Sequence, residues 1–247
     1  MNLRVKVTAI VLVLIGGTSL AASAADIQKD AKALDVLNRM AAHTASIDQL
    51  TIKAEIFTDA RLDAGLMVSN PAEVLITIDR PGSMYVQSFD GLHTKKIYIH
   101  KGKLTVYNTE TNFYAQAKVP EDIQDAMQYA METFDLETPL AELFFADSAM
   151  ALMTDQDTVL YLTNKSRIHG VDCHHIAVRG ALADLQLWVE EGKQPVPRKI
   201  EMTMKWESGS PRSIAFLEWS SANGLDPEIF EFVPPEGAHE IKFFGSE

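Results

Sequence analysis

The sequence predicts an α+β fold dominated by an antiparallel β meander, with one helix before it and two helices inserted into it. Three observations carry that expectation. Past Ser46, short segments alternate apolar and polar residues, the two-residue period of a strand with one buried face. Between them stand Asp90-Gly91, Lys101-Gly102, His169-Gly170 and Asn223-Gly224, pairs suited to the positive φ of a tight turn. The alternation breaks at length only from Pro120 to about Met153, where apolar residues return at helical spacing.

Taken in order, the chain opens with Arg4 and Lys6, an apolar run from Val7 to Ile15, Gly16-Gly17, and the small residues Ala21-Ala22-Ser23-Ala24-Ala25. A basic start, a short apolar core and an A-x-A-like site are what the secretion machinery and signal peptidase require. Residues 1–25 are therefore read as an export signal cleaved after Ala24 or Ala25. The apolar run is shorter than the roughly 20 residues that span a bilayer, and no later segment is long and apolar enough to cross one. No cysteine lies near the cleavage site to carry a lipid. Residues 26–247 are expected to form one soluble domain in the periplasm or otherwise outside the cytoplasm.

From Ile27 to about Thr44, Ala33, Leu34, Leu37, Met40 and Ala41 recur as the apolar stripe of an amphipathic helix. Strands are then expected at Leu50 to Phe57, Ala72 to Ile78, Met84 to Phe89, Lys96 to His100, Leu104 to Asn108 and Phe113 to Gln116. In the interruption, Met127, Ala130, Met131 and Phe134 fall at i, i+3, i+4 and i+7. Thr138-Pro139 reads as an N-cap followed by proline at the first helical position, opening a second helix that carries Leu140, Leu143 and Phe144.

Strands resume at Thr158 to Asn164 and His174 to Arg179, and a further one runs from Ser213 to Trp219. The clearest is Lys199 to Glu207, with Ile200, Met202, Met204 and Trp206 on one face and charged or polar residues on the other. Leu185, Leu187 and Val189 alternate just before it, and Glu191-Gly192-Lys193-Gln194-Pro195 supplies turn residues, so these two strands are expected to pair.

The formal charge is −12, and loss of Arg4 and Lys6 with no acid takes it to −14. Such a balance repels phosphates and anionic lipid surfaces, and no basic cluster overturns it locally, which excludes nucleic acid as a partner. Cys173 is the only cysteine, so no intramolecular disulfide forms and stability rests on packing.

Asp172-Cys173-His174-His175 offers ligands suited to zinc or copper, with His169 nearby. An extended backbone sends His174 and His175 to opposite faces, leaving Cys173 and His175 together, and two ligands do not make a metal site. G-x-S-x-G, S-x-x-K and H-E-x-x-H patterns are missing where they could work, and so are glycine-rich phosphate loops. The acidic residues are scattered over polar faces. No catalytic residue, metal or cofactor is therefore expected, and the chain reads as a non-enzyme.

Several segments carry a family resemblance: the helix running into Ile47-Asp48-Gln49-Leu50, Asp79-Arg80-Pro81 before a strand, and Asp90-Gly91 before Lys96 to His100. To these are added Leu187-Trp188-Val189-Glu190 turning into Pro197-Arg198-Lys199-Ile200, and the tail from Phe230 to Ala238, which looks like a closing strand. With the order of elements, these resemble the LolA/LolB-like superfamily of lipoprotein carriers, which includes the sensor domain of RseB. More closely, the chain is similar to an uncharacterised branch of predicted periplasmic proteins within it.

The resemblance implies a curved, incompletely closed β half-barrel whose concave face is covered by helices. It also implies a lipid, acyl chain or other hydrophobic ligand held between them. Met127, Met131, Phe134, Leu143 and Phe144 would then form the lid face, and Leu187, Met202, Met204 and Trp206 part of the floor. Each of these is also what an ordinary core would use. The alternative the resemblance offers is a protein-interaction or sensor module whose partner is an envelope protein or lipoprotein.

The signal reading has a direct test. Intact mass and N-terminal sequencing of exported protein should give chains beginning at Ala25 or Asp26; an exported chain that keeps residues 1–25 would refute it.

Overall fold

The computed structural model describes residues 29–136, 138, 140, 158–221 and 224–243. The expected signal at 1–25 and most of the expected second inserted helix, with Leu143 and Phe144, lie outside the described residues; Leu140, expected within that helix, has φ 60° and is not helical. Helix α1 (Ala31–Ala45) leads into β1 (Gln49–Arg61), β2 (Met67–Asp79), β3 (Ser83–Phe89), β4 (Thr94–His100), β5 (Lys103–Asn108) and β6 (Phe113–Lys118). Helix α2 (Ile123–Phe134) follows. Then come β7 (Val159–Ile168), β8 (Val171–Arg179), β9 (Ala183–Glu190), β10 (Pro197–Met204) and β11 (Arg212–Ser221). A 3-10 turn at Pro227–Phe230 and the short β12 (His239–Ile241) complete the order.

All strands join one 12-stranded sheet in the order β12-β6-β5-β4-β3-β2-β1-β11-β10-β9-β8-β7. Two meanders therefore run in opposite directions, and they fuse where β1 pairs with β11. Among the described strands every pairing is antiparallel except β12 with β6, which is parallel. The sheet is curved and open, with β12 and β7 as its edges. In a flat sheet β8 and β11 would lie about 14 Å apart. Instead His169, in the β7–β8 turn, stacks on Phe216 of β11 with ring centroids 5.0 Å apart.

Alternation gives the sheet an apolar and a polar face. Leu50, Ile52, Ala54 and Ile56 of β1 are buried while Lys53 and Glu55 between them, and Phe57 after them, are exposed. Register carries the apolar row across neighbours, Ile52 opposite Ile76, then Val86, then Ile97. Both helices sit on this face. Helix α2 packs Ile123, Ala126, Met127 and Ala130 against the first meander, and α1 packs Ala33, Val36, Leu37 and Met40 against β7, β8 and β9.

Each helix begins at an aspartate cap. The Asp30 carboxylate accepts from the amides of Lys32 and Ala33, and that of Asp122 from Gln124 and Asp125, satisfying amides that have no partner inside the helix. Asp30 also ties α1 to the sheet, its amide donating to the Leu160 carbonyl at 3.0 Å. The α1 stripe is rotated from the expected one: Val36 is buried where Leu34 and Ala41 are only half-buried. Among the described residues, no helix is long and apolar enough to cross a membrane.

Two expectations are corrected. The strand from Lys199 was expected to continue to Glu207, but β10 ends at Met204. The return to β11 needs positive φ at Gly209 and Ser210, and the strand gives way to this turn although the Lys205 amide still reaches the Leu182 carbonyl at 2.9 Å, in register with Met204 opposite Ala183. The tail from Phe230 to Ala238 was expected to be a closing strand, and it is not one. Pro227, Pro234 and Pro235 have no amide hydrogen to give a ladder. The tail instead crosses the polar face, burying Phe230 and setting Phe232 among Tyr98, Tyr107 and Tyr114 at centroid distances of 5.4, 5.5 and 5.1 Å. Beyond β12, Phe243 stacks on Phe134 of α2 at 4.5 Å, so the tail wraps round the β6 edge from one face to the other.

Burial ranks the positions. Ile76→Ala, at a side chain with no exposed surface, should lower unfolding stability in urea by about 2–5 kcal/mol. Leu92→Ala, at 77 % exposure, should stay within about 0.5 kcal/mol; equal effects at the two sites would contradict the burial pattern.

Candidate ligand-binding site

The structure divides the expected lid and floor residues among several environments. Met127 is buried under α2, within the cluster that contains Ile52, Ile76 and Ile200. Phe134 is half-buried, stacked on Phe243 and edge-on to Tyr129 at 5.8 Å. Met131 is not on the buried stripe: it is 43 % exposed, because the stripe runs through Ile123, Ala126, Met127 and Ala130 instead. Leu187 is buried under α1 in the second cluster, with Leu160, Ile176 and Val178.

Trp206, expected on the floor, lies in the β10–β11 turn and is 46 % exposed. Met202 and Met204 do lie on the helix-bearing face of β10, level with Leu185 and Ala183 of β9. Both are half-buried, and among the described residues neither belongs to the cluster under α1 or the one under α2.

Leu185 packs against both clusters and is itself half-buried. It marks a seam on the apolar face, where cover from α2 ends and cover from α1 begins. Sequence reasoning placed Leu185 on the correct face but did not single it out, because alternation reports the face and not the boundary between two helices. The seam is apolar and unionised, with two methionines whose unbranched side chains adapt to varied shapes.

Of the residues weighed as metal ligands, the polar face holds Cys173, His175 and His169. His175 stacks on Trp188 at 4.2 Å and its Nε2 shares a hydrogen bond with Gln186 Oε1 at 2.9 Å. Lys199 Nζ lies 4.1 Å from the Trp188 ring centroid and pairs with Glu201 at 2.9 Å, so part of this face is a packed layer. His174 points to the other face, 3.8 Å from Glu191. Cys173 is fully buried; burial first, and the nearby Glu190 carboxylate second, push its thiol up to about 11. Among the described residues, no group of three or more His, Cys, Asp or Glu could hold a metal ion. An open recess of about 440 Å³ lies further along the polar face, between Lys53, Glu55, Glu73 and Gln87 and the rings of Phe89, Phe216 and His169.

These elements define an open-sheet protein with a helix-covered apolar face and a mostly polar reverse. The chain belongs to the family described as "Predicted periplasmic protein (DUF2092)", whose model matches residues 33–244, and its place of work is accordingly the periplasm. That family is the uncharacterised periplasmic branch which the sequence resembles.

A search of curated proteins gives no match. Among solved structures, the chain is similar to LprF from Mycobacterium bovis, at 9 % identity and TM-score 0.48, over 86 % of this chain and 100 % of that one. It is similar to a LolA superfamily protein from Nitrosomonas europaea, at 14 % and 0.36, over 81 % and 97 %. A third is the Pseudomonas aeruginosa MucA/MucB complex, at 16 % and 0.41, over 79 % and 59 %.

The environment of Cys173 is testable. Raised pKa and burial keep the thiolate scarce at pH 8, because the folded thiol ionises only as pH approaches about 11. Mass spectrometry after iodoacetamide treatment should show an unmodified native chain and one adduct in urea; rapid alkylation of the native protein would overturn this placement.

Proposed function

We propose that the chain is a non-enzymatic periplasmic binding protein whose residues 26–247, freed of the signal, form one domain. It holds a lipid, acyl chain or other hydrophobic small molecule, and it carries that ligand through the envelope. The ligand lies on the helix-bearing face along β9 and β10, with Met202, Met204 and Leu185 beneath it, Leu187 and α1 on one side, and the Met127 and Phe134 side of α2 on the other.

One observation supports this reading above the rest: half-buried Met202 and Met204 sit on a face built for burial, yet among the described residues pack into neither core. Water on such a surface is displaced favourably by an apolar ligand, at about 25 cal/mol per Å² covered. Leu143 and Phe144 belong to the same proposal as further lid residues. Met131 and Trp206 take no part in it, because both stand too far into solvent.

Native mass spectrometry of protein purified without detergent, followed by titration with a fluorescent fatty acid, tests the proposal. Wild type should retain or bind one apolar ligand. Met202→Lys, which sets a charge in the seam, should weaken binding at least tenfold, on the order of the cost of burying an unpaired charge, with little change in Tm. No bound lipid and no titration signal would sink it. Cross-linking to a single envelope protein under those conditions would establish the interaction module instead.

A further inference from the structure

One row of side chains crosses the polar face of six neighbouring strands in register. Trp188 of β9 is opposite Lys199 of β10, and Lys199 is opposite Phe216 of β11. Phe216 is opposite Glu55 of β1, Glu55 opposite Glu73 of β2, and Glu73 opposite Phe89 of β3. Phe216 therefore divides the row into two compartments, one closed at its far side by Trp188 and the other by Phe89.

The first compartment is filled. Lys199 Nζ lies 4.1 Å from the Trp188 ring centroid and 5.6 Å from that of Phe216, and Glu201 meets its charge at 2.9 Å. An ammonium held by aromatic faces and a carboxylate gains from the ring quadrupole and from the opposite charge together. The second compartment is the open recess. It has the same two kinds of wall, with the rings of Phe89 and of Phe216, on which His169 stacks at 5.0 Å, and with carboxylates in place of a lysine in the row between them.

Glu55 and Glu73 stand directly opposite each other, an arrangement of like charges that weakens a strand pair. Among the described residues, no lysine, arginine or histidine lies within ion-pair distance of either, nor of Glu218 in the adjoining row. Their neighbours on this face differ: Glu201 has Lys199, and Glu190 has Arg198 at 2.6 Å. Lys53, the one lysine in the recess lining, is in register with Glu218 and Leu75. Three carboxylates thus face one lysine, an excess of two negative charges.

We propose that this recess binds a small organic dication, an aliphatic diamine or polyamine, with its ammonium groups on the glutamates and its methylenes against Phe89 and Phe216. The excess charge sets the valence, and Lys199 in the adjoining compartment is the protein's own example of the group this row accommodates. A metal ion would answer the charge and leave the rings unused, and among the described residues no group of three or more His, Cys, Asp or Glu could hold one. The volume of about 440 Å³ exceeds what an ion needs and falls among small-molecule sites. A chain of net charge −12 also draws cations towards it. This site lies on the face opposite the ligand seam and does not rest on it.

Isothermal titration calorimetry of the exported protein with cadaverine, a diamine, tests it. Wild type should bind one cadaverine, more weakly as salt rises, because exposed charges are screened. Butylamine, with a single charge, should bind at least about threefold more weakly, and magnesium chloride should compete only through ionic strength. The double variant Glu55→Gln/Glu73→Gln should lose about tenfold in affinity, as expected for two ion pairs. Its Tm should hold or rise, since the repulsion is removed. Phe89→Leu, which leaves every carboxylate in place, should lose about threefold.

No heat with cadaverine at millimolar concentration overturns the site, and so does unchanged affinity in either variant. Magnesium chloride binding as tightly as cadaverine overturns it too, reducing the recess to a patch of negative potential. Trilysine binding at least tenfold more tightly than cadaverine would overturn the small-molecule occupant and assign the recess to a lysine of a protein partner.

Discussion

The pairing of β1 with β11 is the constraint on which the remaining architecture depends. It joins residues 50–58 to residues 213–221 in unbroken register, across most of the length of the chain. Without it the two meanders would be separate sheets, each with an open edge and half an apolar face. With it, Ile52 and Ala54 meet Trp219 and Leu217 on one continuous surface. Trp219 then fixes the next strand, its indole Nε1 donating to the Pro197 carbonyl at 2.8 Å. A contact so distant in sequence carries a large loop-closure entropy. The compensating gain is the apolar face itself, which neither meander presents whole.

That face is too wide for one helix. Helix α2 follows β6 directly and covers the first meander, while α1 precedes β1 yet crosses to the far side to cover β7, β8 and β9. The crossing is held at its start by Asp30, whose backbone and side chain both bond to β7. The C-terminal tail does the equivalent work at the other edge. Phe232 among the tyrosines and Phe243 on Phe134 clamp β6 from both faces, with β12 covering part of its free edge between them. An uncovered edge strand is a template for unwanted pairing, so this strap also protects the sheet.

Most of this was legible from alternation alone, because β1 to β11 each bury one face and a half-buried strand writes its period into the sequence. The β12 strand was not legible: three residues are too few to show a period, and all three are exposed. Trp206 was misplaced for a related reason. The apolar period runs on past Met204, but the turn to β11, with positive φ at Gly209 and Ser210, takes the backbone out of the ladder first. Met131 failed differently, since a stripe of four apolar helix positions allowed two phases and Ile123 decided between them. Lys199 and Glu201, on the polar face of β10, are drawn into a layer with Trp188. Periodicity reports which residues share a face and is silent on what lies over it.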